Sequence, residues 1–237
     1  MKMFLLLTKE KLLTLEKALR NYLPAAIKTY GTILNVNKGK IHDLEVVVDS
    51  WPDFNAVICR PGRKVQSSCT YNYSVFQRSE QFAQTSYGRQ CCRLDNLFHV
   101  WRADVASRIS HLDLTHAQIV SRNWKFGNDT SLEFIENVIA NFPNYCILDE
   151  TDNPVSWLLS YNYGAMGLLY TLPEHRRKGY AKLLVATMVK TLQNLGYPIY
   201  CFIEEENDKS YQLFEKLGFK ESPGIRFAWQ SCRPFER

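Results

Sequence analysis

The fold of this chain is decided by the stretch Leu169-Tyr170-Thr171-Leu172-Pro173-Glu174-His175-Arg176-Arg177-Lys178-Gly179-Tyr180-Ala181. It has the pattern of a strand end, a turn at Pro173, a basic loop and the first turn of a helix. After Gly179, apolar residues recur at intervals of three and four, which predicts a helix over 179–195. A basic loop that runs into a helix start presents unpaired backbone N–H groups and the positive end of the helix dipole. Such a place binds phosphate, and Gly179 and Ala181 allow phosphate to approach the backbone closely.

A second motif follows the predicted helix and makes a family resemblance visible. The sequence there reads Asn207-x-x-Ser210-x-x-Leu213-Phe214-x-Lys216-x-Gly218-Phe219. It resembles the N-x-x-A-x-x-L-Y-x-K-x-G-F segment of the GNAT acyltransferase superfamily. Arg176-x-x-Gly179-x-Ala181 resembles the R/Q-x-x-G-x-G/A pyrophosphate loop of the same superfamily, and the two motifs have the expected order and distance. The resemblance implies a GNAT fold that binds coenzyme A.

The predicted elements agree with an α/β (mixed α+β) fold. In the C-terminal half, strands are predicted over 145–148, 155–161, 166–172, 199–203 and 227–231, and helices over 116–120, 131–139, 179–195 and 208–217. In the N-terminal half, a helix over 9–23 precedes strands over 30–36, 44–48, 54–59 and 71–76. Residues 79–93 have no clear period, and we expect poor order between 61 and 106. We therefore predict an N-terminal region over 1–106, smaller and incomplete, and a C-terminal GNAT-like acyl-CoA-binding domain over 107–237.

A closer resemblance covers about residues 9–60 and 109–232. Among the segments that carry it are Lys28-Thr29-Tyr30-Gly31-Thr32, Asp113-Leu114-Thr115-His116-Ala117 and Asn153-Pro154-Val155-Ser156-Trp157. They are similar to the glycine N-acyltransferases and their glycine N-acyltransferase-like members. The family's middle portion is longer, so this chain is shortened between 73 and 109. The resemblance implies transfer of a medium-chain or aromatic acyl group from acyl-CoA, the co-substrate, to glycine or glutamine, with no prosthetic group.

The resemblance also assigns the residues that would bind the cofactor. Backbone groups of Leu169, Tyr170 and Thr171 would contact the pantetheine arm as an added strand does. The diphosphate would lie on the loop and helix start, which are Arg176, Arg177, Lys178, Gly179, Tyr180 and Ala181. Asn207 would lie near the cofactor; its alternative role is a helix cap.

The catalytic residues are not evident from the sequence. In glycine-conjugating relatives an acid follows the glycine equivalent to Gly164, but here that position is Ala165. The tyrosine that often protonates the leaving thiolate corresponds to Phe214, which cannot donate a proton. Replacement bases are Glu204 and Glu206, in the run 204–206 at a strand end, and His175 beside the loop. The alternatives are a solvated charge run and a surface histidine. Trp157, Tyr161 and Tyr163 either line an aromatic acyl pocket or pack in the core.

Composition and charge restrict the partners. The 237 residues carry a net charge of +5, which suits an anionic cofactor, and no run of five Lys or Arg predicts a nucleic-acid arm. The first residues contain an apolar run shorter than the roughly 7–15 residues of a secretory signal, and no membrane span is predicted. Seven cysteines without a metal-ligand spacing indicate reduced thiols and no metal site. The family resemblance implies a mitochondrial location, with the cytoplasm as the alternative.

Three functional hypotheses remain open at this point. The first is an acyl-CoA-dependent N-acyltransferase that conjugates a small amino acid. The second is an acyl-CoA-binding pseudoenzyme or regulatory module, which Ala165, Phe214 and the shortened middle favour. The third is acylation of protein amines, as by the protein N-acetyltransferases of the superfamily. The sequence contains no signal for the oligomeric state.

Overall fold

Two β-sheets organise the chain, and the smaller one comes first. The structure is a computed structural model that describes residues 5–62, 74–77, 88–93, 107–127 and 131–226. Four antiparallel strands form the first sheet in chain order: β1 Leu5–Leu6, β2 Leu44–Val48, β3 Ala56–Pro61 and β4 Ser74–Gln77. Two helices accompany them: α1 Lys9–Leu19, which continues into a 3-10 turn at Arg20–Tyr22, and α2 Ile27–Asn37. The strands predicted over 44–48 and 54–59 and the first predicted helix are confirmed.

The second sheet has seven strands. They are β5 Gly88–Arg93, β6 Ile109–Ser110, β7 Asn144–Leu148, β8 Pro154–Ser160, β9 Met166–Thr171, β10 Tyr200–Glu204 and β11 Phe219–Arg226. In space they lie in the order β11-β5-β10-β9-β8-β7-β6. Every neighbouring pair is antiparallel except β9 and β10, which are parallel. This mixed sheet agrees with the predicted fold class.

Helices cover both faces of the second sheet. They are α3 Ala117–Arg122, preceded by a 3-10 turn at Leu114–His116, α4 Ser131–Asn141, α5 Tyr180–Asn194 and α6 Asp208–Lys216. All residues of β8 are buried, and its side chains alternate between the faces. Trp157 and Leu159 pack with α3 and α4, whereas Leu158 packs in the cluster that contains α5. Asp113 caps the 3-10 turn before α3 by accepting a hydrogen bond from the Thr115 N–H.

The strand predicted over 30–36 is wrong, because these residues lie in α2. This helix is buried on almost every side, including Tyr30, Gly31, Ile33 and Asn35. A helix that is buried all round has no polar face, so its sequence lacks the 3.6-residue alternation. The β-branched run then resembles a strand, although packing against α1, β3 and β4 decides for a helix.

The strand β5 was not predicted, and it comes from the N-terminal region. It lies between β10 and β11 and is antiparallel to both, with Tyr200 opposite Cys92 and Phe219 opposite Arg93. Its sequence is polar and lacks the alternation typical of a strand. Main-chain hydrogen bonds to a neighbour on each side hold it in the sheet instead. The expectation of poor order between 61 and 106 is therefore wrong at β4 and β5. Residues 63–73, 78–87 and 94–106, and the strand predicted over 227–231, lie outside the described residues.

The two halves of the chain share a core as well as β5. One apolar cluster includes Leu15 and Ile33 of the first two helices and Leu184 and Met188 of α5, all fully buried. Asn35 connects the halves through polar bonds: its Nδ2 donates to the Asn162 carbonyl and its Oδ1 accepts from the Tyr197 hydroxyl, both at 2.7 Å. The division into 1–106 and 107–237 stays a prediction.

Candidate functional site

The strands β9 and β10 form a fork. They are parallel neighbours, but their register contains a single pair of opposed residues, Met166 and Cys201. Beyond that pair, the described residues of the two strands run on without pairing each other. The fork is therefore closed at Met166 and Cys201 and open toward Thr171 and Glu204, the carboxyl ends of both strands.

A bulge in β9 accounts for the fork. Trp157 lies opposite Tyr170 and Leu159 lies opposite Gly167, so two residues of β9, Leu168 and Leu169, face one residue of β8. Leu168 has a φ of +56°, which a non-glycine residue rarely adopts. A bulge bends its strand and increases its twist, which turns β9 away from β10. Such strain persists where the surrounding structure enforces it and is concentrated at functional sites.

The bulged strand presents main-chain groups to the fork. The Leu172 N–H donates to the Val155 carbonyl at 2.9 Å, so Leu172 points its backbone groups toward β8. Backbone directions alternate along a strand, and Thr171 therefore points its N–H and C=O away from β8. The Thr171 carbonyl accepts a hydrogen bond from Arg176 Nε at 3.0 Å, which agrees with this direction.

The basic loop, residues 176–179, joins the 3-10 turn Pro173–His175 to α5. Arg177 and Gly179 both have positive φ, +63° and +85°, and Gly179 is the N-terminal cap of α5. The loop is exposed. Within the described part of the chain, no acceptor is recorded for the backbone N–H groups of residues 177–182. Consecutive N–H groups in alternating conformations, at the positive end of a helix, form a concave anion site.

Arg176 is held against β9 and does not extend freely into solvent. Its Nε donates to Thr171, and its guanidinium lies 5.5 Å from the centre of the Tyr170 ring. Tyr170 in turn stacks on Trp157, with ring centroids 5.5 Å apart. Arg176 therefore fixes the basic loop to the end of β9 and adds positive charge there. The two other cations of the loop, Arg177 and Lys178, are exposed.

The remaining cofactor residues of the sequence analysis are partly buried. Tyr180 is buried in the core, so only its backbone N–H is available to a ligand, as for Ala181. Asn207 caps α6: its side-chain oxygen accepts from the Ser210 N–H at 3.2 Å. Its contact with a cofactor stays a prediction. Phe214 is buried and packs edge-to-face on Phe219, at a centroid distance of 5.0 Å.

The structure separates the three predicted bases. Hydrogen bonds from the Asn153 backbone and from Thr151 lower the pKa of Asp149 in the turn between β7 and β8, and His175 adds a smaller lowering. His175 therefore lies toward that turn, on the side of β9 opposite β10. Its Nδ1 is buried and has no hydrogen-bond partner among the described residues. Glu206 is exposed beyond the end of β10. Glu204 ends β10 and forms an ion pair with Lys125, Nζ to Oε2 at 2.7 Å. Only Glu204 lies at the fork.

An aromatic row follows the sheet face opposite α5. Neighbouring rings have centroids 5.1–6.2 Å apart. The members of the row, from its exposed end inward, are Phe126, Trp124, Phe134, Tyr161, Tyr163, Phe202 and Tyr200. Gly167 makes room for it, because a Cβ there would come within 2.1 Å of the Tyr161 ring. Burial, and then the charge of Glu204, raise the pKa of Tyr161, so its hydroxyl stays protonated.

The inner end of the aromatic row contains a residue that the sequence analysis missed. Lys28, in the first turn of α2, places its Nζ 5.0 Å from the centre of the Tyr163 ring. Burial lowers the pKa of Lys28 from 10.5 to about 8. Ala165 is fully buried in the same cluster, with Ile27, Tyr163 and Tyr200. No sequence signal indicated Lys28, because its proximity to Tyr163 arises only from the docking of α2 on the second sheet.

Metal and membrane sites were searched among the described residues. They contain no group of three or more His, Cys, Asp or Glu side chains able to hold a metal ion. No helix in this part of the chain has the length and apolar character needed to span a membrane. Cys59 and Cys146 are free thiols, and they and Cys201 are buried.

Two family models match the chain, one in each half. Residues 3–89 match a model described as aralkyl acyl-CoA:amino acid N-acyltransferase, and residues 145–230 match a model described as FR47-like protein. The matched ranges leave 90–144 between them.

Curated relatives match over nearly the whole chain. Glycine N-acyltransferase of Bos taurus is 28% identical, with 98% of this chain and 100% of that protein covered. The human enzyme of the same name is 28% identical over 93% and 95%, and the mouse glycine N-acyltransferase-like protein Keg1 is 28% identical over 91% and 95%. The bovine alignment spans 295 positions, so at least 58 of them have no residue of this 237-residue chain opposite them. This chain is thus shorter than that relative, and the placement of the missing segment between 73 and 109 stays a prediction.

Solved structures confirm the fold. A Drosophila protein of known X-ray structure superposes with a TM-score of 0.68 at 15% identity, covering 94% of this chain and 96% of that one. An acetyltransferase of the GNAT family from Colwellia psychrerythraea superposes with a TM-score of 0.54 at 10% identity, covering 93% and 96%.

Proposed function

We propose a specific reaction for this chain from the premise that it belongs to the glycine N-acyltransferase family and is an acyltransferase. The reaction is the transfer of an aromatic or medium-chain acyl group from acyl-CoA to the amine of glycine, with glutamine as the second acceptor. The observation that carries it is the fork between β9 and β10 beside the unpaired N–H groups of residues 177–182. The N–H groups of the loop and helix start suit a diphosphate, and the open fork suits an extended arm with amide groups.

The basic loop would hold the diphosphate of acyl-CoA. Its N–H groups and the dipole of α5 favour a dianion, and Arg177 and Lys178 add two exposed charges. The backbone of Thr171 would pair with the pantetheine amides as an added strand. An arm that enters from the loop in this way directs the thioester toward the closed end of the fork at Met166 and Cys201.

The chemistry is a direct attack in a ternary complex. The amine nitrogen forms a bond to the thioester carbonyl carbon, and the carbon–sulfur bond breaks to release coenzyme A. Holding both substrates in the fork replaces a bimolecular encounter by an oriented one. Phe214 lies buried where the family pattern has a tyrosine, but a thiolate leaves without prior protonation, so no proton donor is needed there.

The aromatic row supports an aromatic acyl donor over a straight chain. Its outer rings are accessible, with Phe126 53% exposed, and an aryl group stacks favourably on such faces. The matched family model is described by an aralkyl donor, and a Bos taurus relative that is 27% identical over 98% of this chain is named glycine N-phenylacetyltransferase. We therefore expect benzoyl- and phenylacetyl-CoA to be used in preference to octanoyl-CoA.

The decisive experiment measures release of free thiol from benzoyl-, phenylacetyl- and octanoyl-CoA in the presence of glycine, glutamine and other small amino acids. We expect thiol release that depends on both substrates, and a mass spectrum with the corresponding amide. A complete lack of release with every pair would contradict the proposed reaction.

A charge-reversal pair tests the binding mode. Arg177→Glu with Lys178→Glu should weaken acyl-CoA binding at least tenfold, because two cations at the anion site become repulsive. The control is Lys9→Glu with Lys17→Glu in α1, which changes the net charge equally at exposed positions far along the chain. Equal affinities of the two variants would refute the assigned diphosphate site. Affinity is measured by the ligand-dependent shift of the thermal midpoint.

One observation favours the second candidate, an acyl-CoA-binding module without turnover. Ala165 is fully buried among apolar side chains, so the carboxylate that the family places there has no substitute at the same position. Saturable binding of acyl-CoA without thiol release would support this candidate. Acylation of a protein amine is the third, and intact-mass analysis of protein substrates incubated with the chain would detect it.

The family membership also motivates a mitochondrial location, with the cytoplasm as the alternative. Fluorescence of the full chain carrying a C-terminal tag, compared with a mitochondrial dye, distinguishes the two compartments.

A further inference from the structure

Glu204 lies level with the bulge that opens the fork. The fork closes at Met166 and Cys201. Three residues further along each strand lie Leu169, in the bulge of β9, and Glu204, at the end of β10. At about 3.3 Å per residue, this level is roughly 10 Å from the closed end. An acyl-CoA arm that pairs with Thr171 and runs toward the closed end carries its thioester to this level, beside Glu204.

Tyr161 shows which face of the sheet the Glu204 side chain occupies. Burial, and then the charge of Glu204, raise the pKa of Tyr161, so the carboxylate lies near this phenol. The Tyr161 ring lies against Gly167, because a Cβ there would come within 2.1 Å of it, and Gly167 follows Met166 at the closed end. Glu204 therefore faces the aromatic row, on the side of the sheet opposite α5. Its side chain is 27% exposed, so a small solute can reach it.

Lys125 reaches Glu204 from a tight turn, residues 124–127, that follows α3. The Gly127 N–H donates to the Trp124 carbonyl at 2.8 Å and closes the turn. A Cβ at Gly127 would lie 2.2 Å from the Ser121 carbonyl oxygen, so the turn packs directly on the end of α3. The Lys125 Nζ lies 2.7 Å from Oε2 of Glu204, and its side chain is 67% exposed. A turn fixed by backbone packing thus holds a cation at the open end of the fork.

The neighbouring acidic groups leave this ion pair distinct. Glu205 binds Arg226, with Oε1 3.1 Å from Nε. The hydrogen bond and the charge of Glu204 raise the pKa of Lys125, and Glu206 adds a smaller effect. The pair therefore presents one ammonium and one carboxylate side by side at the fork. An exposed ion pair contributes little to stability, so a ligand can separate its members at small cost.

We propose that Lys125 and Glu204 bind the acceptor as a zwitterion, with Lys125 on its carboxylate and Glu204 on its ammonium. The proposal rests on the proposed function and names the chemical class of the acceptor, an amino acid with a free carboxylate. Such a zwitterion carries the same two charges as the ion pair. It can separate the pair and leave neither charge without a partner.

This arrangement also orients the amine for the reaction. Lys125 lies on the exposed side of the pair and Glu204 on the side of the strands. A zwitterion bound between them points its carboxylate outward and its nitrogen toward the level of Leu169, where the thioester passes. Two charge-assisted contacts fix both ends of a molecule as small as glycine, which gives it one orientation in the ternary complex. An amine without a carboxylate makes only one of the two contacts.

The experiment measures kcat and KM for glycine and for glycinamide, with benzoyl-CoA, in the full-length wild type, Lys125→Met and Lys125→Arg. Glycinamide has the amine of glycine but no carboxylate. Lys125→Met should raise KM for glycine roughly tenfold or more, because a charge-assisted hydrogen bond is lost. KM for glycinamide should not rise. Lys125→Arg should restore most of the affinity for glycine, since the guanidinium also binds a carboxylate.

A second variant tests the other half of the site. Glu204→Gln removes the charge that faces the ammonium, and both acceptors carry this ammonium. KM should therefore rise for glycine and for glycinamide alike, in contrast to Lys125→Met. A loss confined to kcat, with both KM values unchanged, would overturn the assignment of Glu204 to acceptor binding.

The matched control is Arg60→Met. Arg60 pairs with Glu45 at 2.8 Å in the first sheet, so this variant also breaks a partly exposed ion pair, but away from the fork. It should leave both KM values unchanged. All variants should keep the thermal shift caused by benzoyl-CoA, which shows that they fold and bind the donor.

The outcomes separate the inference from the proposed function. If Lys125→Met releases thiol with an unchanged KM for glycine, or raises KM equally for glycinamide, the inference is wrong although the proposed function stands. If the wild type itself releases no thiol with any acceptor, the proposed function fails and the inference fails with it.

Discussion

Gly179 is the position in the basic loop where a side chain should disturb the backbone conformation most. Its φ is +85°, and a Cβ would extend into open space, next to the N–H groups assigned to the diphosphate. An L-residue in this conformation costs about 1 kcal/mol. We expect Gly179→Ala to lower the free energy of unfolding by that amount and to weaken acyl-CoA binding roughly tenfold, about 1.4 kcal/mol. Titration calorimetry and thermal unfolding measure the two effects.

Gly196 provides the control at the other end of α5. Its φ is +72°, and a Cβ there also meets nothing within 4 Å. Gly196→Ala should therefore reduce stability equally without affecting acyl-CoA affinity. An equal loss of affinity in both variants would mean that the weaker binding follows from lower stability and not from a change in the basic loop.

Lys28 also gives the stability of the protein a pH dependence of known sign. Burial lowers its pKa from 10.5 to about 8, so between these values the unfolded chain binds more protons than the folded one. Stability is then lowest below pH 8 and rises as the pH increases toward 10.5. We expect Lys28→Met to be more stable than the wild type at pH 7 by up to about 3 kcal/mol, with the difference disappearing near pH 10.5. Urea unfolding at several pH values measures this, and a difference that grows with pH would contradict it.

At the scale of elements, the sequence predicted those parts of the fold whose signal is local. The helix over 179–195 and the loop before it were predicted because periodicity, Pro173 and Gly179 are all local features. The helix α2 was mistaken for a strand because it is buried on nearly every side, which removes the polar face that identifies a helix. The fork itself depends on a bulge at Leu168 and Leu169, and two leucines in a strand give no sign of it.

In the site too, the sequence predicts residues that belong to short motifs and not those that meet only in the folded chain. The cofactor residues could be assigned from two motifs that lie within about 40 residues of each other in the chain. Lys28 and Tyr163 are far apart in sequence and meet only because α2 docks on the turn before β9. The ion pair of Glu204 with Lys125 likewise joins residues 79 positions apart and has no local signal, and a role of Glu204 as a base stays a prediction.

The packing of α2 on the turn at Tyr163 requires a glycine at position 31. A Cβ at Gly31 would lie 1.8 Å from the Tyr163 carbonyl oxygen and 2.8 Å from its carbon, and both are backbone atoms that cannot move alone. We expect Gly31→Ala to cost about 3 kcal/mol or more, because the helix must shift as a body. The same shift displaces the turn at Tyr163 that leads into β9, one of the two strands of the fork, so the rate of thiol release should fall as well. Chemical unfolding and the thiol assay measure the two quantities.

Gly39→Ala is the control for this element. Gly39 follows α2 with a φ of +70° and has nothing within 4 Å of its added Cβ. That substitution should cost only the local backbone strain, about 1 kcal/mol, and leave turnover unchanged. Similar losses of stability and turnover for the two variants would show that α2 tolerates the shift and that its close contact with Tyr163 is not required.

At the scale of the whole molecule, the N-terminal region completes the acyltransferase sheet. The strand β5 pairs with all five residues of β10 on the edge away from the fork, and with β11 on its other edge. A chain that begins at residue 107 lacks β5, which leaves two unpaired strand edges and uncovers the apolar cluster shared by Ile33 and Met188. We expect such a chain to associate and to bind acyl-CoA weakly, and co-expression of residues 1–106 to restore a soluble complex. Size-exclusion chromatography and hydrogen exchange of β10 are the measurements. A monomeric 107–237 with the full-length affinity for acyl-CoA would show that the fork is maintained by the C-terminal half alone.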